Sequence, residues 1–253
     1  MLLCKALDLN SLEIISFCGG GGKTSTIQLL CKELSSRNRS VISTVTTRIG
    51  LDQIDGIEPI LIGDIHEPSI SQAQQIRNQI NNKWALVAGQ AEGTKLTGVD
   101  PNAVCALGKL ADYVLVEADG SRGLPIKAPA EHEPVVPACT TTTVVLIGID
   151  AIGRKILPNE VHRPERICQL TGKAPGDEVD AELVAKLVVD PQGLFKGAPD
   201  RARRFVLLNK VSRRELLTQA QNIAAAVRNL ACTVPIIITD TRNTESPIYQ
   251  VIS

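Results

Sequence analysis

The chain predicts an α/β fold, a three-layer α/β/α sandwich on a mostly parallel sheet, and three observations carry that reading. Apolar runs rich in β-branched residues recur from end to end. They are continuous rather than alternating, as strands covered on both faces require. Amphipathic helical patterns lie between them, which implies βαβ units and helices on both faces of the sheet. Finally, four consecutive glycines, Gly19 to Gly22, separate the first apolar run from the first helical pattern.

The strands fall at LEIISFC (12–18), SVIST (40–44), WALVAG (84–89), YVLVEA (113–118), TVVLIGI (143–149), FVLLNK (205–210) and VPIIITD (234–240). After the glycines, Ile27, Leu30, Cys31 and Leu34 share one face at helical spacing. Ser69-x-x-Gln72 forms a capping box for a helix lined by Ile70, Ala73, Ile76 and Ile80. Asp100-Pro101 supplies an N-cap and first-turn pair for a short helix to Leu110. Val179, Leu183 and Leu187 mark another helix, stopped by Pro191. Leu216, Ala220, Ile223, Val227 and Leu230 mark the last, with Ser212 and Glu215 as its capping box. Trp84 is placed in the core. The segment 150–204, rich in Arg, Pro and Gly, reads as an insertion within a single domain spanning 1–253.

Composition narrows the function. Hydrophobic residues are 43% and charged residues 21% of 253, enough for a real core, and at 2% aromatics that core is aliphatic. Lys plus Arg equals Asp plus Glu, 27 each, so no global field favours nucleic acid or an anionic membrane. No apolar run approaches the ~18 residues of a membrane span. Seven scattered cysteines, none in C-x-x-C spacing, read as reduced thiols of a cytoplasmic protein rather than as a zinc site.

The glycine run sits where a phosphate loop belongs, between a buried strand and an amphipathic helix. Glycines let backbone N–H groups turn toward phosphates, and the helix N-terminus adds the positive end of its dipole. G-x-x-x-x-G-K-[ST] is not matched, because Phe17 holds the first glycine position; the shorter G-x-x-G-K-T from Gly19 to Thr24 is. Gly19, Gly20, Gly21, Gly22, Lys23, Thr24 and Ser25 are therefore the expected nucleotide contacts. Lys23 reaches the terminal phosphates and Thr24 holds Mg²⁺. Glu117 and Asp119, at the end of the fourth run, are the expected acidic partners for Mg²⁺ and water, with plain loop solvation as the alternative. Glu117 to Gly120 resembles the E-x-x-G motif of P-loop GTPases that serve metal-enzyme maturation. Thr44, Thr46 and Thr47 occupy the place of a switch segment.

Base recognition is less specific. Asn209-Lys210 follows the N-K-x-D guanine pattern, but Ser212 stands where the carboxylate belongs, so ATP and GTP are both admissible. Arg122 and Lys127 follow the acidic strand end and suit an anionic second substrate, and Arg122 is also a catalytic candidate. Lys95 and His132 are further candidates for that site, with loop solvation as the alternative for each. His162-Arg163 is placed to close over the site. His66 has no motif around it.

FCGGGGKTS, TVTTR, EGTKLTG, VEADGSRGLPIKAPAEHEPVVP (116–137) and HRPERICQLTGKAPGD (162–177) together resemble the YqeC family. The resemblance covers most of the chain. It implies a P-loop NTPase-like accessory protein of selenium-dependent molybdenum hydroxylases, acting on the immature enzyme or its cofactor. The reaction is read from the residues: with Lys23, Thr24, Glu117 and Asp119 in place, it is Mg²⁺-dependent NTP hydrolysis or phosphoryl transfer; the alternative is a nucleotide-gated chaperone or scaffold.

Overall fold

The computed structural model describes residues 1–54, 56–82 and 84–253. Its helices are α1 (Leu3–Ala6), α2 (Lys23–Ser35), α3 (Ile70–Asn82), α4 (Pro101–Leu107), α5 (Pro164–Thr171), α6 (Ala181–Val189) and α7 (Arg214–Asn229). Its strands are β1 (Glu13–Gly19), β2 (Val41–Val45), β3 (Arg48–Gly50), β4 (Ile60–Leu61), β5 (Ala85–Ala88), β6 (Ala91–Glu92), β7 (Lys95–Thr97), β8 (Tyr113–Glu117), β9 (Thr142–Gly148), β10 (Arg203–Asn209), β11 (Ile236–Thr239) and β12 (Ile248–Ile252).

Among the described residues, nine strands form one sheet in the order β12-β11-β10-β9-β1-β8-β2-β5-β4. Every pairing is parallel except β11 with β12. Alternation along the strands divides the core. Ile15, Phe17, Leu115, Val144 and Leu146 pack under α1 and α2. Val145, Ile147, Val206 and Leu208 face α5, α6 and α7 on the opposite side, joined there by Ile42, Val114 and Val116 against α3 and α4. This is the three-layer α/β/α sandwich, and all seven expected strands are in it.

Several local readings need correction. Ile70, expected on the buried face of α3, is 92% exposed, and the helix packs through Ile76 instead. The capping box itself is present, with Ser69 N–H donating to Gln72 Oε1 and Gln72 N–H donating back to Ser69 Oγ. Asp100 caps α4, accepting from Asn102 N, but that helix ends at Leu107 rather than Leu110. Helix α7 begins one residue later than a Ser212 cap requires: its N-cap is Arg213, with no side-chain cap hydrogen bond. Leu230 falls past the last turn of α7 and is 46% exposed. Trp84 is buried at 2% exposure, as expected. The thiols are not all reduced: Cys105 and Cys139 form a disulfide, their Cα atoms 5.8 Å apart across a separation of 34 residues. Cys4, Cys18, Cys31, Cys168 and Cys232 are not disulfide-bonded.

The one-turn helix α1 owes its N-terminal satisfaction to tertiary structure. The buried Glu33 of α2 accepts from Leu3 N and Cys4 N at 2.9 and 2.8 Å, meeting two of the donors a helix leaves open. A three-stranded sheet, β3-β7-β6, stands beside the carboxyl edge of the main one. No helix among the described residues is long and apolar enough to cross a membrane.

Candidate functional site

The carboxyl ends of β1, β8, β9 and β10 bring together Gly19, Glu117, Gly148 and Asn209, at the edge where parallel sheets bind ligands. The glycine loop leaves β1 there and turns into α2. Gly21 has φ +82°, and a Cβ on it would lie 2.1 Å from Gly148 N, so backbone passes against backbone at this point. Gly20 has an ordinary φ but equally little room, since a Cβ would sit 2.7 Å from Leu124 O.

The loop's donors divide into two groups. Gly19 N donates to Asp119 Oδ2 at 3.0 Å, Gly20 N to Leu146 O at 3.0 Å and Gly21 N to Leu124 O at 3.1 Å. Those bonds hold the loop's shape. The next four, from Gly22 and the first turn of α2 (Lys23, Thr24 and Ser25), meet no acceptor in the described chain. They are the open donors at the positive end of a 13-residue helix.

Lys23 is buried and folds back to donate to Gly19 O at 2.7 Å, with Asp119 Oδ1 at 3.2 Å and Glu117 Oε1 at 3.7 Å. Burial opposes its charge, but Asp119 and Glu117 overcome that and raise the ammonium pKa above its ordinary value. Glu117 ends β8 in register with Phe17 on one side and Val45 on the other. Burial lifts its carboxyl above the usual range against the pull of Lys23. Thr24 Oγ1 donates to Glu117 Oε2 at 2.8 Å. A threonine hydroxyl and a carboxylate thus meet beside the open helix donors.

Asp119 continues the charge pattern inward. Its Oδ2 lies 3.1 Å from Lys127 Nζ, which also donates to Glu133 Oε2 at 2.6 Å and Gly120 O at 2.7 Å. Glu133 is gripped from the far side by both terminal nitrogens of Arg163. Burial would raise the Glu133 pKa, but the hydrogen bonds of Arg163 and Lys127 bring it down to about 2. Charges of alternating sign therefore run Lys23–Asp119–Lys127–Glu133–Arg163 from the glycine loop to the N-terminus of α5. His162, beside this chain, has its pKa lowered to about 4 by burial and by Lys127 and Arg163.

The other expected residues fall into place as follows. Asn209 is 2% exposed and braces the loop: its Nδ2 donates to Gly21 O at 2.9 Å, and its Oδ1 accepts from Thr241 N at 3.0 Å. Lys210 pairs with Asp150 at 2.9 Å. Thr44 donates to Val87 O and Thr46 to Val135 O, so both hydroxyls are committed to backbone. Lys127, expected at a second-substrate site, is fully buried with every partner internal to the protein. His132 is exposed in its loop. A cleft of about 620 Å³ opens over the helix end and is lined by Lys23, Thr24, Ser25 and Glu117, with Lys95 and Arg122 on its walls. Sequence reasoning missed Arg48 on the cleft wall and the pairing of Glu133 with Arg163, which turns Arg163 inward to Glu133. Glu133 and Arg163 are 30 residues apart, so nothing local signals their pairing.

The fold and this edge define a class: an α/β/α protein whose glycine loop, lysine and two carboxylates converge at the carboxyl ends of parallel strands. A family model described as "YqeC protein" matches residues 15–165, more than half of the chain. The chain is also 32% identical over 204 residues to the uncharacterized protein YqeC of Escherichia coli (strain K12), covering 80% of this chain and 77% of that relative. The chain belongs to the YqeC family.

Proposed function

We propose that the protein binds a magnesium nucleoside triphosphate, ATP or GTP, at the Gly19–Ser25 loop and uses it in the maturation of a selenium-dependent molybdenum hydroxylase or its cofactor. The observation that carries the nucleotide part is the set of four open N–H donors beside the buried Lys23 and the Thr24–Glu117 pair. Backbone donors and the helix dipole suit an anion. Lys23 supplies a point charge for the terminal phosphates. Among the described residues no three His, Cys, Asp or Glu side chains converge as a metal cage. Thr24 and Glu117 instead suit Mg²⁺ that arrives with phosphates, since that ion keeps few protein ligands. Bound there, Mg²⁺ would neutralise phosphate charge. The selenium and molybdenum part rests on the family resemblance, as does action on the immature hydroxylase in the cytoplasm.

Hydrolysis or phosphoryl transfer is the first reading, with Glu117 and Asp119 ordering metal and water and Arg122 holding the second substrate. A nucleotide-gated scaffold is the second, favoured by one feature. Lys23 is closed on both carboxylates, so phosphate must compete for it and shift Asp119 and its partners. A steady-state NTPase assay with and without the immature hydroxylase separates the two. Turnover abolished by Glu117→Gln supports the enzyme; binding without turnover, even with the partner present, supports the scaffold. Asn209 turns to the loop and Ser212 lacks a carboxylate, so ATP and GTP are expected to bind alike, as competition between them would reveal.

A further inference from the structure

The cleft is larger than a triphosphate tail requires, and its charge is uneven. At about 620 Å³ it has the size of a site for a whole small molecule. Lys23, Arg48, Lys95 and Arg122 line it against two carboxylates, Asp52 and Glu117. Lys23 is already neutralised by Asp119 and Glu117. The surplus positive charge is therefore on the rim.

The three rim cations come from three separate segments. Arg48 opens β3 and Lys95 opens β7, the two antiparallel strands being paired through Arg48↔Thr97 and Gly50↔Lys95. Arg122 lies in the loop after β8, held at φ +52° directly before Gly123 at φ +74°. A non-glycine residue at such a φ is uncommon and strained, and strain of this kind gathers at ligand sites. Among the described residues neither the Lys95 nor the Arg122 side chain has a hydrogen bond or an ion pair, Lys95 being held through its backbone in the β3-β7-β6 sheet. Among the described residues the Arg48 side chain pairs with Glu92 alone, at 2.9 Å, on the open surface. Such a pair is weak and easily exchanged for a better anion. Neither Lys127 nor His132 lines the cleft.

We propose that Arg48, Lys95 and Arg122 form a second anion site on the rim of this cleft, which takes a small phosphate- or carboxylate-bearing co-substrate opposite the glycine loop. The proposal rests on the nucleotide reading above and deepens it by naming the chemical class of the second ligand. Because the small sheet carries two of the three cations, the co-substrate would lie between that sheet and the Arg122 loop. Its anionic groups would be bound while the rest of the molecule reaches toward Thr24 and Glu117. The competing source of the same chemistry is the triphosphate itself, should the rim cations clasp its terminal phosphate.

Calorimetric titration distinguishes these sources. Protein saturated with Mg²⁺ and the non-hydrolysable AMP-PNP is titrated with inorganic phosphate and, separately, pyrophosphate. The expected result is saturable binding that weakens at least tenfold in Lys95→Ala and in Arg122→Ala, and is largely restored by Arg122→Lys. Absence of saturable binding in the loaded protein overturns the proposal, as does equal binding by the variants. It is equally overturned if the substitutions weaken AMP-PNP itself by tenfold, because the cations then serve the nucleotide. If AMP-PNP does not bind at all, the nucleotide reading fails on its own. Phosphate is then titrated into unloaded Lys23→Ala protein, where dependence on Lys95 and Arg122 supports the rim site and indifference to them overturns it.

Discussion

Removing the Lys127 ammonium would leave Asp119 and Glu133 facing each other in the protein interior without their shared cation. Breaking a buried pair in this way costs about 3–5 kcal/mol, because a desolvated charge loses its partner. Lys127→Met is therefore expected to lower the unfolding free energy by about that much in denaturant titration. Arg122→Ala, at an exposed side chain, is expected to change it by less than about 0.5 kcal/mol. Equal and small losses for both would show that the charge chain does not hold the loop. The same chain sets a pH dependence. His162 is depressed from 6.5 to about 4, so protonating it opposes folding, and stability falls as pH drops through that interval. Glu133 is depressed from 4.5 to about 2; its contribution is complete above 4.5 and disappears as pH falls toward 2. That shift corresponds to roughly 3 kcal/mol. Thermal or denaturant midpoints between pH 7 and pH 3 should decline in wild type and decline less steeply below pH 4.5 in Glu133→Gln. An identical slope would contradict the pairing of Glu133 with Lys127 and Arg163.

At the scale of elements, the glycine loop and helix α2 work as one unit. β1 delivers the chain at Gly19, three loop donors are absorbed by the neighbouring backbone and by Asp119, and the next four stay open. Gly21→Ala would set a methyl 2.1 Å from Gly148 N at a φ that disfavours L side chains, forcing β1 and β9 apart at their ends. It is expected to abolish ligand binding before it unfolds the protein, which calorimetry beside circular dichroism would register. The disulfide ties α4 to the loop ahead of β9 and closes 34 residues that include all of β8. Cys139→Ser is expected to cost about 2–4 kcal/mol of stability, with wild type losing a similar amount in reductant. No change in either would show that the bond contributes nothing. This pairing was not legible in the sequence, since cysteine spacing says nothing about thiols brought together by parallel strand packing. The capping boxes illustrate the same limit. Ser69–Gln72 and Ser212–Glu215 have the same spacing, yet only the first is built, because α7 starts at Arg214, after Arg213.

Across the whole molecule, what was legible follows burial. Among the described residues, seven of the eight parallel strands carry uninterrupted apolar runs that are hard to mistake, as coverage on both faces requires, whereas the eighth, the edge strand β4, is two residues long. β12 is an antiparallel edge strand with a half-exposed Tyr249, and β3, β6 and β7 are two or three residues long, so none carries such a run. The site was legible in proportion to its locality. Gly19 to Ser25 and Glu117 to Asp119 are short contiguous signals, and they meet at one edge. The inward charge chain was only half visible: Asp119 and Lys127 stood out, but their pairing depends on how residues 119–137 fold back on β8, where Val135 N donates to Ala118 O. The rim of the cleft likewise needed β3 and β7 to be seen side by side. The central claim is that this edge holds a magnesium nucleoside triphosphate, and the direct measurement is calorimetric titration of Mg·ATP and Mg·GTP into wild type and Lys23→Ala. The account predicts saturable binding of one nucleotide per chain, weakened by about 2–3 kcal/mol, roughly 30- to 150-fold, without the lysine charge. Equal affinity in the two proteins, or no binding by wild type, would contradict it.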